Sequence, residues 1–137
     1  YFGQKDYQQQ SLIRRMAADL NLPIEIRICP TVREPDGLAL SSRNVYLSVD
    51  ERQSALALSR CLKLAEDRLL SGDQDLPAIR RAMFELLDST PHVRPDYATL
   101  IHPDTLEEVS LVLPKLVAVV AARVGATRLI DNQIIEV

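Results

Sequence analysis

The chain has 137 residues, with 19 acidic and 16 basic side chains and a formal net charge of −3 at pH 7. A hydrophobic content of 47% suits one ordinary buried core and argues against a disordered chain. The absence of a basic field, 4% aromatics and no Trp argue against a nucleic-acid platform, and the longest apolar run, Leu116–Ala122, is far short of the roughly 20 residues of a membrane span.

No signal or transit peptide is visible. Cys29 and Cys61 have no metal-type or redox-type spacing, which predicts reduced, buried thiols in a cytoplasmic protein. The chain opens at Tyr1-Phe2-Gly3 without Met, directly into a loop rich in functional residue types, and is expected to be a fragment of a longer enzyme.

Asp6 and Gln9 have capping-box character, and Leu12, Ile13, Met16, Ala17 and Leu20 recur at helical spacing, so a helix is predicted from about Tyr7 to Leu20. Asn21 and Pro23 stop it. Ile24, Ile26 and Ile28 then alternate with Glu25 and Arg27, the period of a strand with one buried face. Helix then strand reads as the closing unit of an α/β sheet. From Pro30 to Val45 no period is usable; the segment holds the turn signal Pro35-Asp36-Gly37 and the polar run Ser41-Ser42-Arg43-Asn44.

Ser48 with Glu51 forms a second capping box, opening a helix to about Leu70 that Gly72 ends, with Ala55, Leu58, Leu62, Ala65 and Leu69 on one face. Asp75 caps a third helix with Pro77 in its first turn and Ile79, Ala82, Met83, Leu86 and Leu87 as its core stripe. Beyond Pro91 the pattern turns to β: strands at Tyr97–Ile101 and Val117–Val124, then a terminal hairpin turning at Asp131-Asn132. The organisation expected is residues 1–44 as the end of a Rossmann-like domain carrying a phosphate-gripping loop, and 45–137 as a small α+β domain of helices and a short antiparallel sheet.

Two segments carry residue types suited to chemistry. In Phe2-Gly3-Gln4-Lys5-Asp6-Tyr7-Gln8-Gln9, a glycine without Cβ lets backbone approach a ligand. Lys5 adds a point charge just before a helix N-terminus, which itself favours anions, and Gln9 shares a helical face with it. The plainer alternative is a loop glycine, a solvated lysine and an ordinary cap. In Thr31–Asn44, two adjacent hydroxyls beside a guanidinium can hold phosphate oxygens, the guanidinium bidentately. The plainer alternative there is a polar connector. Gly37 in its turn gives such a loop a hinge.

Taken in order and spacing, Phe-Gly-Gln-Lys-Asp-Tyr-Gln-Gln, then Pro-Thr-Val-Arg-Glu-Pro-Asp-Gly-Leu-Ala-Leu-Ser-Ser-Arg-Asn, then Arg128-Leu129-Ile130-Asp131-Asn132, the chain resembles the pantothenate synthetase (pantoate–β-alanine ligase) family, as its C-terminal portion. The resemblance implies a nucleotidyltransferase related to class I aminoacyl-tRNA synthetases. Such an enzyme joins pantoate to β-alanine through a pantoyl-adenylate, consuming ATP with Mg²⁺ and releasing AMP and pyrophosphate. It implies Gly3, Gln4, Lys5, Asp6, Val32, Leu40, Ser41, Ser42 and Arg43 at the ATP site, with Lys5, Ser41, Ser42 and Arg43 stabilising charge during catalysis. Gln9 would bind pantoate and Val32 would meet adenine through its backbone. The resemblance further implies a cytoplasmic homodimer, with no nucleic-acid or membrane partner. The isolated chain is expected to be inactive, because the family's His-containing ATP motif and a second pantoate-binding Gln belong to the other half.

Rival readings are another small-molecule nucleotidyltransferase of the same ancestry, or a non-catalytic interaction module built on the helices from Ser48 to Leu87. His92 and His102 read as surface or structural residues. Arg128 is expected to pair with Asp131 or Glu136 across the hairpin, and Arg80-Arg81 and Glu107-Glu108 to be solvated faces.

Overall fold

The capping box at Ser48 forms as its residue types require. Ser48 Oγ accepts from the Glu51 N–H at 3.2 Å, and Glu51 Oε2 accepts from the Ser48 N–H at 2.8 Å. In this computed structural model, which describes residues 1–137, the helix so started runs Val49–Leu70. The chain then reverses at Gly72, whose φ of 89° lies in the left-handed region. Asp75 Oδ1 accepts from the Ala78 N–H at 2.9 Å and starts the next helix, Leu76–Asp88, with Pro77 in its first turn.

The elements in order are β1 (Phe2–Gly3), α1 (Tyr7–Asp19), β2 (Ile28–Cys29), a 3₁₀ turn (Ser42–Tyr46), α2 (Val49–Leu70), α3 (Leu76–Asp88), β3 (Val93–Ile101), β4 (Lys115–Val124) and β5 (Thr127–Glu136). β3, β4 and β5 form an antiparallel sheet in that order. One face of it packs on α2 and α3, because Leu116, Ala118, Val120, Ala122 and Val124 alternate onto that side of β4. They join Leu58, Leu62, Ile79, Met83, Leu87 and Leu100 in a single apolar core. Pro95 lies in β3, an edge strand where its missing N–H breaks no ladder, and the register shifts between Pro95 and Tyr97.

The terminal hairpin is not where the Asp-Asn signal placed it. Val124 pairs with Thr127 across Gly125-Ala126, and Gly125 takes the positive φ of 57°. Asp131 and Asn132 sit inside β5, opposite Val120 and Val119, both buried. Tertiary partners described below outweigh their turn preference.

The first 44 residues depart further from expectation. The chain start is itself a strand: β1 pairs in parallel with β2, with Phe2 N–H donating to Arg27 O at 2.9 Å and Gln4 N–H to Cys29 O at 2.8 Å. Of the predicted strand Ile24–Ile28, only Ile28 is in regular β structure, since β1 is two residues long and offers no further partner. Asp6 makes no side-chain cap. On α1 the expected core stripe is largely open: Leu12, Met16 and Leu20 are 60%, 49% and 63% exposed. Cys29 is exposed, against expectation, whereas Cys61 is buried and its thiol pKa is pushed up to about 12 by burial. Arg80 is no solvated residue either: it donates to Val109 O at 2.8 Å and lies 3.5 Å from the Glu108 carboxylate.

Candidate functional site

Between β2 and α2 the chain folds back on itself as a narrow arm. Leu40 N–H donates to Val32 O, Glu34 N–H to Leu38 O and Gly37 N–H to Glu34 O, each at 2.8 Å. Gly37, at φ 94°, supplies the left-handed residue of the turn. Charged pairs pin the arm to α2. Arg52 grips both Glu34 oxygens at 3.2 and 2.8 Å and Asp36 Oδ2 at 2.8 Å. Asn44 Nδ2 donates to Glu34 Oε1 and Ala39 O at 3.1 and 3.2 Å. The bonds from Arg52 and then Asn44 hold the Glu34 carboxyl below its ordinary pKa.

The arm delivers Leu40-Ser41-Ser42-Arg43 opposite the loop after β1. Ser41 Oγ accepts from the Arg43 N–H at 3.2 Å, capping the 3₁₀ turn. Lys5 Nζ donates to Leu40 O at 3.2 Å, so the lysine reaches the base of the serine run. Burial holds the Lys5 ammonium below its ordinary pKa of 10.5; Asp131 and Asp6 act against that shift, while Arg43 and Arg33 add to it. Arg43 approaches the Arg128 carbonyl at 3.5 Å.

These residues enclose a crevice of about 310 Å³, lined by Lys5, Asp6, Leu40, Ser41, Ser42 and Arg43, with β5 residues Arg128–Ile130 as its far wall. Its cations and hydroxyls suit an anion of several oxygens. A second cavity, of about 490 Å³, shares Lys5 and Asp6 and continues past Gln8 and Gln9 along the outer face of the sheet. Tyr97, Thr99, Val119 and Ile130 line that side.

Of the residues singled out in the sequence, Lys5, Asp6, Leu40, Ser41, Ser42 and Arg43 meet at one crevice, and Gln9 lies in the adjoining cavity. Gly3, Gln4 and Val32 stand outside both. No atom lies within 4 Å of where a Gly3 Cβ would be, so the chain itself does not require glycine there. The Gln4 amide turns toward Asn132, at 3.4 Å. Val32 is 63% exposed, with its carbonyl already engaged by Leu40. His102 Nδ1 accepts from the Asp104 and Thr105 N–H groups at 3.1 and 3.3 Å, and His92 is exposed in a turn at φ 64°; neither lines the crevice or the adjoining cavity.

Sequence reasoning passed over Arg33, Arg128, Asp131 and Asn132 as site residues. Asp131, its side chain 2% exposed, takes a two-pronged ion pair from Arg33 at 2.7 and 3.1 Å. Asn132 donates to Gln4 O and Lys5 O at 3.0 and 2.8 Å. Arg128 pairs with Asp96 at 2.6 Å, rather than with Asp131 or Glu136. Two polar residues in succession within a strand of an apolar sheet were the available signal, since such groups are buried only with partners.

Fold and crevice together define a class: the end of an α/β unit followed by a small α+β domain, with cationic and hydroxyl groups where the two meet. The chain matches the pantoate-beta-alanine ligase family over residues 1–134. It is 50% identical over 136 residues to a pantothenate synthetase of Roseiflexus sp. (strain RS-1), covering 99% of this chain and 49% of the relative. It is likewise 49% identical over 137 residues to that of Moorella thermoacetica, covering 100% of this chain and 48% of the relative. Among solved structures, pantothenate synthetase from Thermus thermophilus superposes with a TM-score of 0.92 at 45% identity, over 97% of this chain and 48% of that one. A pantoate-beta-alanine ligase from Francisella tularensis, complexed with beta-gamma ATP and beta-alanine, has a TM-score of 0.63 at 26% identity, over 97% of this chain and 42% of that one. The chain belongs to the pantoate–beta-alanine ligase family, and it spans about half the length of the curated relatives it matches.

Proposed function

We propose that this chain supplies part of an ATP-dependent ligase that condenses pantoate with β-alanine through a pantoyl-adenylate. The observation that carries this reading is the convergence of Lys5, Ser41, Ser42 and Arg43 on one crevice where the two units meet. Residues 1–44 hold the ATP and pantoate loops, and residues 45–137 act as the lid. The cytoplasmic location and homodimeric state implied by the family belong to the same reading; no helix is long and apolar enough to cross a membrane.

A pantoate carboxylate oxygen attacks the α-phosphorus of ATP, and the bond to the pyrophosphate oxygen breaks. Negative charge grows on the phosphate oxygens as it does so, and Lys5, Arg43 and the Ser41 and Ser42 hydroxyls are placed to stabilise it. Gln9 orients pantoate by hydrogen bonds, since an amide does not exchange protons at neutral pH. The β-alanine amine then attacks the acyl carbon, expelling AMP. Val32 would meet adenine through its backbone and Gly3 would let the chain approach the nucleotide closely, whereas the N–H and carbonyl of Gln4 are already engaged by Cys29 and Asn132. Mg²⁺ would neutralise phosphate charge, arriving with the nucleotide and keeping several of its waters.

The test uses a protein of full family length carrying this chain. ATP–Mg²⁺ affinity should fall by about 1.5–3 kcal/mol on Arg43→Ala, the size of a charge-assisted contact. Unchanged affinity would favour a non-catalytic module. Pyrophosphate exchange that responds to another acid but not to pantoate would sink the substrate assignment. The 137-residue chain alone should form no pantothenate.

A further inference from the structure

Asp131 and Asn132 close a ring of contacts around the crevice. Asn132 Nδ2 donates to the carbonyls of Gln4 and Lys5 at 3.0 and 2.8 Å, which fixes the backbone from which the Lys5 side chain extends. Lys5 Nζ in turn donates to Leu40 O at 3.2 Å, at the root of the serine run. The arm leads back from Leu40 to Arg33, which donates to Gly37 O at 3.1 Å within the arm and to both Asp131 oxygens at 2.7 and 3.1 Å. The Asn132 N–H completes the ring at Asp131 Oδ1, 2.8 Å away. Both side chains are buried, with residue exposures of 4% for Asp131 and 2% for Asn132; neither lines the crevice, both border the adjoining cavity, and their polar atoms are engaged by protein groups. A buried amide with two donors on consecutive carbonyls has one low-energy orientation, so it sets position rather than merely filling space.

We propose that Asn132, backed by Asp131 and Arg33, is a positioning residue: it holds the Lys5 loop in register with the Ser41–Arg43 loop, so that both grip the same phosphate chain. This rests on the function proposed above, and deepens it by placing the control of Lys5 on a strand of the C-terminal domain.

The test is a double-mutant cycle in a protein of full family length carrying this chain, read as kcat and KM for ATP in pantoate-dependent pyrophosphate exchange. Asn132→Asp keeps the side chain's shape but sets a carboxylate against two carbonyls in place of the donor amide. It should lower kcat by about ten- to hundredfold at saturating ATP, the scale of a small misplacement of a charge-stabilising group. In a Lys5→Ala background the same change should cost less than about twofold, because the group it aims is gone. A purely structural role would instead give the same fold-loss in both backgrounds, and that result, or no loss in either, overturns the proposal. Asn132→Ala, which buries no new charge, carries the same cycle if the aspartate variant does not fold. Wild-type exchange in the single variant Lys5→Ala would instead overturn the function on which the proposal rests, so the two failures are distinguishable.

Discussion

The two ends of this chain bury their apolar residues very differently. The α+β domain places nearly all of a 24-residue core between two helices and one sheet face; from the first 44 residues only Leu38 joins it. The N-terminal unit adds Tyr7 to a cluster of three with Ile101 and Val117, and leaves Leu12, Leu20 and Ile24 more than half exposed. Hydrophobic burial scales with area removed from water, so the C-terminal domain supplies the stability and the N-terminal unit is held mainly by polar ties. Those ties are the bonds that assemble the crevice: Asn132 to the Lys5 loop, Arg33 to Asp131, Arg52 to the arm. The region poorest in core is the one carrying the proposed chemistry.

The sharpest way to break that contrast is to truncate one leucine on each side. Leu62→Ala, at 2% exposure, should cost about 2–5 kcal/mol in urea denaturation, whereas Leu12→Ala, at 60%, should stay within about 0.5 kcal/mol. Equal costs would mean that α1 packs as tightly as α2. Next comes the turn between β4 and β5. A Cβ on Gly125 would overlap the Glu51 carboxylate, at a φ of 57° that disfavours any other residue. Gly125→Ala should therefore lose about 1–3 kcal/mol, with the amide protection of the first turn of α2 falling alongside.

Removing the other half of the same cap is milder: Ser48→Ala should cost about 1 kcal/mol. Because α2 belongs to the well-packed domain, that loss should appear in global unfolding rather than as local fraying of the arm. The smallest effect is a pH dependence within the α+β domain. The Asp73 carboxyl lies below its ordinary pKa of 3.8, chiefly because it accepts the Asp75 N–H and then because of Arg68. A depressed carboxylate pKa adds stability above the unfolded value and loses it as pH falls through the folded one. The melting-temperature gap between wild type and Asp73→Asn should hold at neutral pH and close below pH 3.8. A gap that persists in acid would point to lost packing instead.

How much of this could be read in advance followed the same division. α2 and α3 were legible to within a few residues because capping chemistry and a 3.6-residue period agreed. β4 was found as a shorter run because a central strand buried on both faces reads as a near-continuous apolar stretch, and β3 because its second half, Tyr97–Ile101, is apolar and β-favouring. The motif residues that meet at the crevice were named from the sequence, yet the frame holding them was not. Asp-Asn reads locally as a turn, and nothing in its neighbours announces a partner about 98 or 128 residues away. The apolar stripe of α1 predicted burial, but no surface of this chain covers it. Ile24 and Ile26 alternated correctly for a strand that had only two residues of β1 to pair with.

The contact between Asn132 and residues 4 and 5 has a consequence for how this site could change over time. The two donor bonds of the amide go to the carbonyls of Gln4 and Lys5, a part of the chain that every amino acid presents alike, and only the longer contact at its oxygen, from the Gln4 amide at 3.4 Å, depends on a side chain. Mutation at those two positions can therefore alter the charge and reach of the loop while its attachment to β5 persists. Drift in ligand preference and retention of the scaffold are separable here, residue by residue. Asn132, by contrast, has no such latitude: its constraint lies in the side chain itself.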